Sequence, residues 1–233
     1  MNISHYYIEK GTGYPLILLH GNGEDSSYFS NQISEFSLIY HVFAIDTRGH
    51  GKTDRGNAPF TIRQFADDLL EFMDSHNIDI ANILGFSDGA NIAMVFAIKY
   101  PEKVNKLILN GGNLNSEGIK WTVQLPIEIG YKIATTFSNK SLQARKNAEM
   151  LNLMVNEPNI AIDDLAKIQA DTLVIAGTKD MVKEKHTRLI AKNISNAKLQ
   201  LIKGNHFIAN KNPVEFNNAV SDFLGTKFSR IEG

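Results

Sequence analysis

The chain has 233 residues, 43% of them hydrophobic, enough for one large α/β domain or a core with a small insertion rather than two independent domains. Its 24 Lys and Arg balance 25 Asp and Glu, and no basic run exceeds two residues, so nucleic acid is not expected as a partner. No cysteine is present, which excludes disulfides, thiolate metal sites and a cysteine nucleophile.

In chain order, the first ten residues lack the cationic and then apolar pattern of a signal peptide. No apolar run approaches membrane-spanning length, so a cytoplasmic protein with no membrane partner is expected. Residues 5–9 predict one edge strand, turning at Gly11-Thr12-Gly13. Buried strands are predicted over residues 16–19, 42–45, 80–84, 106–109, 172–176 and 198–202, alternating with helices. That alternation implies a mostly parallel sheet covered on both faces. Between the second and third of these runs, Ile62, Phe65, Ala66, Leu69, Phe72 and Met73 form one apolar helix face. Asp67, Asp68 and Glu71 are expected to face water, and Thr61 with Gln64 forms a capping box. A small-residue helix presenting Ala90, Ala93, Met94 and Ala97 stops at Tyr100-Pro101. The rhythm then breaks: residues 113–168 carry apolar side chains at helical spacings and read as an inserted helical cap. Residues 1–112 and 169–228 form the core, and 229–233 read as a tail, because Ile231-Glu232-Gly233 looks like a vector-derived protease-site linker.

The chemistry concentrates at Gly85-Phe86-Ser87-Asp88-Gly89, between the strand at 80–84 and the small-residue helix. A serine hydroxyl attacks only if it projects clear of the backbone and a base takes its proton. A sharp strand-to-helix turn with glycines two before and two after achieves the first, and the helix N-terminus offers N–H groups to a developing oxyanion. The base must be a histidine held by a carboxylate. Of seven histidines, His206 lies in a loop just beyond the strand at 198–202, whereas His41, His76 and His186 lie at strand or helix edges. Asp180 follows the strand at 172–176. The catalytic set is then Ser87, Asp180 and His206.

His20-Gly21-Asn22-Gly23, Asp46-Thr47-Arg48-Gly49-His50-Gly51, the Ser87 pentapeptide, Gly177-Thr178-Lys179-Asp180 and Gly204-Asn205-His206 stand in an order that resembles the α/β-hydrolase fold superfamily along essentially the whole chain. The resemblance implies a mostly parallel sheet flanked by helices with an inserted cap. Too few residues precede Leu16 for the usual N-terminal strand pair, so a shortened N-terminal edge is expected. It implies an oxyanion hole of the Asn22 and Asp88 backbone N–H groups, with His20 tying down its loop. Some members draw the acid from the strand before the cap, but Asn110-Gly111-Gly112-Asn113 offers no carboxylate, which leaves Asp180. Dehalogenases and epoxide hydrolases place a carboxylate where Ser87 stands. The expected activity is a cofactor-free carboxylesterase acting on small acyl esters. Carbon–carbon bond hydrolase, hydroxynitrile lyase and perhydrolase activities fit the pattern too, as does a ligand sensor with slow turnover. Trp121, Tyr131, Phe137, Met154 and Phe207 are candidate substrate contacts, with core packing equally open to those in the cap. The Asp88 carboxylate has two readings: a helix N-terminal group, or a charge facing the pocket that favours substrates with an ammonium group.

Two decoys fail. Gly51-Lys52-Thr53 resembles the end of a phosphate-binding loop, but Asp46 stands where its first glycine belongs, and no histidine spacing matches a metal site.

Overall fold

Alternate residues of the strand Tyr14–Leu19 (β2) divide the core in two. Leu16 and Leu18 pack with Val42, Ala44, Phe36, Phe216 and Val220 on one face of a sheet. Ile17 and Leu19 pack with Phe43, Ile45, Phe65, Leu69, Ala93 and Phe96 on the other. The computed structural model describes residues 3–225, so the tail at 229–233 lies outside the described residues.

Seven strands form the sheet: β1 (Tyr7–Lys10), β2, β3 (Tyr40–Ile45), β4 (Ala81–Phe86), β5 (Val104–Asn110), β6 (Asp171–Gly177) and β7 (Ala197–Ile202). Their spatial order is β1-β3-β2-β4-β5-β6-β7. Only β1 runs antiparallel, pairing Tyr7 with Ile45 and Lys10 with Val42. Among the described residues a single strand caps this edge of the sheet. One face carries the helices α2 (Ile62–Ser75), α3 (Asp88–Lys99) and α6 (Glu184–Asn193); the other carries α1 (Ser30–Phe36), α7 (Ile208–Lys211) and α8 (Pro213–Leu224).

Four expectations change. Ile80 precedes β4 and is 44% exposed, while the strand continues through Gly85 to Phe86, the residue before Ser87. β7 is the last strand, paired on one edge, and its Lys198 and Gln200 face solvent, so it is half-buried rather than buried. Asp68, expected to face water, is buried: Arg48, itself fully buried, donates Nε at 2.7 Å and Nη2 at 2.6 Å to its two oxygens. Half of the capping box forms, with Thr61 Oγ1 accepting from Gln64 N, while the Gln64 amide reaches forward to Asp68 Oδ1.

Between β5 and β6 the helices α4 (Trp121–Phe137) and α5 (Leu142–Asn156) pack as a hairpin. The Tyr131 hydroxyl donates to Asn152 Oδ1 across it at 3.1 Å. Arg55 grips Glu149 with Nε and Nη2, joining α5 to the loop after β3. The flanks of the hairpin belong to the main body, since Leu114, Ile160, Leu165 and Ile168 sit in the same buried cluster as α3.

Candidate active site

β4 ends at Phe86 and α3 begins at Asp88, so the whole reversal falls on Ser87, whose φ of 53° and ψ of −119° lie in a region costly to a residue with a side chain. Close packing imposes it: a Cβ on Gly89 would fall 2.0 Å from the Leu19 carbonyl oxygen. Ser87 N donates to Asn110 O at 2.8 Å, anchoring the turn to β5. Ser87 stays half-buried while Phe86, Asp88, Gly89 and Ala90 around it are buried.

Beyond β6, Asp180 N donates to Gly177 O, and its buried Oδ1 accepts from Val182 N at 2.9 Å. The same oxygen lies 2.7 Å from His206 Nδ1. His206 is 4% exposed, and its ring packs on Phe86, the residue before Ser87, at 4.8 Å between centroids. Gly111 makes room for it, since a Cβ there would meet His206 Cε1 at 2.8 Å. A carboxylate against Nδ1 places the proton on that nitrogen and leaves the lone pair on Nε2. Nε2 is buried and has no hydrogen-bond partner, so the ring's acceptor is unoccupied. The turn after β4 and the loops after β6 and β7 thus place Ser87, Asp180 and His206 at the carboxyl edge of the sheet, the usual site of chemistry in open α/β folds, with Asp180 and His206 paired and no hydrogen bond from Ser87 to Nε2.

His20 sits under the loop that follows β2. Its Nδ1 donates to Gly21 O at 2.8 Å and its Nε2 accepts from Thr47 N at 3.0 Å, which requires the neutral ring. Burial lowers its pKa and favours the same form. Two side chains that motif reading passed over set this loop. Glu24 Oε2 accepts from Gly21 N at 3.2 Å, and burial pushes its carboxyl up to about 7. The Asn22 amide donates to Asp88 Oδ2 at 3.0 Å and to Met150 O on α5 at 2.8 Å. Asn22 therefore ties the loop to the serine turn and to the hairpin at once. Asp88 is the first residue of α3, so its N–H has no partner four residues back within the helix. Its carboxylate is 8% exposed, takes a second bond from Asn91 Nδ2 at 3.3 Å, and is pushed up to about 6 by burial.

A cleft of about 10 Å³ opens beside Ser87 and Asp88, walled by Ile119, Leu153, Met154 and Met181 and by the polar Asn113, Gln124 and Glu157. Of the five expected substrate contacts, Met154 lines this cleft and Phe207, 40% exposed, stacks edge-on to His206 at 5.5 Å. The others are elsewhere. Trp121 is 72% exposed at the start of α4, Phe137 is exposed at its end, and Tyr131 braces the hairpin. Motif reading does not point to Gln124 or Glu157; the one sequence signal for Gln124 is an amide inside the uncharged, mainly apolar run Trp121-Thr122-Val123-Gln124-Leu125.

Residues 14–130, about half of the chain, match the α/β hydrolase fold family. The chain belongs to that family. The match contains Ser87 and stops short of Asp180 and His206. An (E)-2-((N-methylformamido)methylene)succinate hydrolase of Acinetobacter baylyi is 33% identical over 111 residues, covering 47% of this chain and 42% of the relative, so less than half of that protein is matched. The serine hydrolase BPHL of Homo sapiens is 27% identical over 243 residues, covering 94% of this chain and 82% of the relative. The fold is shared with the enol-lactonase from Burkholderia xenovorans, which superposes with a TM-score of 0.81 at 21% identity over 96% of this chain and 97% of that one. Among the described residues, no helix of this α/β hydrolase is long and apolar enough to cross a membrane.

Proposed function

We propose that this α/β hydrolase is a serine hydrolase, and specifically a carboxylesterase cleaving small acyl esters without a cofactor. The observation that carries the reading is the buried Asp180–His206 pair, at 2.7 Å, beside a serine held at the tip of a strained turn. In the proposed reaction Ser87 Oγ attacks the ester carbonyl while His206 Nε2 takes its proton. The oxyanion that forms is received by the backbone N–H groups of Asn22 and Asp88. His206 returns the proton to the leaving alcohol, and water cleaves the acyl-enzyme by the same route in reverse. Asp180 holds the ring orientation and balances the imidazolium. The hairpin acts as a cap, joined through Asn22 to the oxyanion loop.

The test is a panel of acyl esters of increasing chain length, amides and vinylogous diketones, run on the parent and on Ser87→Ala. Ester turnover should fall by about 10⁴-fold or more in the variant, a barrier change of about 5.5 kcal/mol, with the melting temperature preserved. A folded Ser87→Ala protein that keeps its turnover would remove Ser87 as nucleophile. Faster cleavage of diketones than of any ester would replace ester hydrolysis by carbon–carbon cleavage.

A further inference from the structure

Six large apolar side chains face solvent within a short stretch of the hairpin: Trp121, Leu125, Ile129, Ile133 and Phe137 on α4, and Leu142 at the start of α5, each 48% to 72% exposed. The five on α4 recur at every fourth residue, so they fan over one side of the helix, a sector roughly 160° wide and about 24 Å long. Thr122, Pro126, Lys132 and Thr136 are the other exposed residues of that sector, and Lys132 is its one charge. The opposite side is apolar too, with Val123, Ile127 and Tyr131 half-buried and Ala134 buried. A helix apolar all round belongs in a core or in lipid, yet half of this one is open. The exposed parts of the six side chains sum to on the order of 600 Å², the upper end of what the largest apolar patch of a soluble monomer reaches, and patches of that size mark interaction surfaces.

Charge selects the partner. Between residues 120 and 149 stand Lys120, Lys132, Lys140, Arg145 and Lys146 against Glu128 and Glu149, a net charge of +3 in a chain whose total is −1. All five cations are exposed, and none forms an ion pair among the described residues. Both acids are engaged, Glu149 by Arg55 and Glu128 by the Gln124 amide at 3.2 Å. Pairing this face with a second copy would bury about 1,200 Å² in total, the lower limit of a stable interface, and would set two surfaces of like charge against each other. A bilayer with anionic headgroups takes the same apolar stripe and attracts the cations, whose long stems reach the headgroups while the stripe lies below them. We propose that α4 is the docking surface of this protein for an anionic lipid bilayer, on which it lies flat through Trp121, Leu125, Ile129, Ile133 and Phe137. The expectation of no membrane partner rested on the lack of a spanning run, and a helix lying in the interface needs none. Gln124, on the opposite side of the same helix, lines the cleft beside Ser87, so docking brings that cleft close to the bilayer.

The chain has one tryptophan, Trp121, so its fluorescence reports on the stripe itself and needs no assay of turnover. Vesicles of phosphatidylcholine with about one-third phosphatidylglycerol should carry the protein upward in flotation and shift the Trp121 emission to the blue. Vesicles of phosphatidylcholine alone should bind at least about ten-fold more weakly, and about 0.5 M NaCl should weaken anionic binding by a similar factor. Ile129→Ser with Ile133→Ser should cost at least about ten-fold in vesicle affinity by removing apolar contact, and Lys132→Glu with Lys140→Glu should do the same through charge. All four positions are exposed, so both double variants should melt near the parent temperature. Absence of flotation and of a spectral shift overturns the proposal. Flotation that leaves Trp121 unshifted, or that survives Ile129→Ser with Ile133→Ser in a folded protein, places the contact on another surface and overturns it as well. Equal affinity for the two kinds of vesicle removes the anionic partner. A blue shift that grows with protein concentration in the absence of lipid, together with a dimer mass in sedimentation, gives the stripe to a second copy and overturns the lipid reading.

Discussion

Asp88→Asn tests the electrostatics of the site through folding rather than catalysis. The Asp88 carboxyl is raised from 3.8 to about 6, burial being the main cause, with the amides of Asn22 and Asn91 opposing it. A rise of that size corresponds to roughly 3 kcal/mol. The sign follows from proton counting. Between about pH 4 and 6 the folded protein keeps a proton on Asp88 that the unfolded chain has released, so stability falls as pH rises through that window. The penalty is absent below the unfolded pKa and complete above the folded one. Asparagine carries no such penalty, so its stability relative to the parent should improve by about 3 kcal/mol from pH 4 to pH 7. The level of that difference includes a mismatch, because Asn22 and Asn91 both donate toward position 88 and asparagine presents one NH₂ of its own; the pH dependence is the quantity to read. Burial pushes His50 down to about 4 and Glu24 up to about 7, and both titrate in either protein, so they cancel in the difference. Glu157, which Asp88 repels, is eased by the substitution and adds in the same direction. The assay is urea unfolding of both proteins at half-unit pH steps, with a common slope required. A difference that stays flat within 0.5 kcal/mol (the reach of an ordinary surface substitution), or moves toward the parent as pH rises, would refute the argument.

Asp180→Asn should lower kcat by about 10⁴-fold with little change in melting temperature, since the amide would steer His206 toward the wrong tautomer and could not balance its charge; a mild effect would place the acid elsewhere. Asp68→Asn leaves the Arg48 guanidinium buried without a counter-charge and should cost about 3 kcal/mol in denaturant melts, whereas replacing both, Arg48→Met with Asp68→Leu, should cost less than the single change. A double variant less stable than Asp68→Asn would contradict that account.

Much of the core was legible because its signals are local and periodic. The run at 16–19 alternates between the two sheet faces, and the apolar stripe of α2 from Ile62 to Met73 repeats at helical spacing, so each element could be placed without its neighbours. Asp68 shows where that ends. At about 100° per residue it falls roughly 40° from Phe72, on the border of the apolar face, and only the arrival of Arg48 from the loop after β3 decides that it is buried. The exposure of β7 is likewise a matter of sheet order, although the alternation of Lys198 and Gln200 with Leu199 and Leu201 carried the hint.

The serine turn could be read because it is a local object: two glycines, a strand before and a helix after. Asp180 and His206 needed only the rule that reactive groups sit at the carboxyl ends of strands, and strand ends are legible. The cleft is different in kind. Gln124 and Glu157 lie 33 residues apart in an insertion with no motif, and they meet Asp88 only because α4 and α5 fold over the turn and are tied there by Asn22 to Met150 O and by Arg55 to Glu149. Apolar content suggested Trp121, Tyr131 and Phe137 as walls, yet hydrophobicity alone does not say which residues of a hairpin face the core, and Trp121 and Phe137, at the two ends of α4, are exposed. The informative residues there were polar ones: a glutamine inside an apolar helix, and a glutamate whose oxygen is buried with no partner. A buried acceptor left unmatched in a folded protein carries a free-energy cost that a ligand can remove. For that reason the specificity of this α/β-hydrolase fold protein is better sought in the unsatisfied atoms of its hairpin than in the aromatic residues that first draw notice.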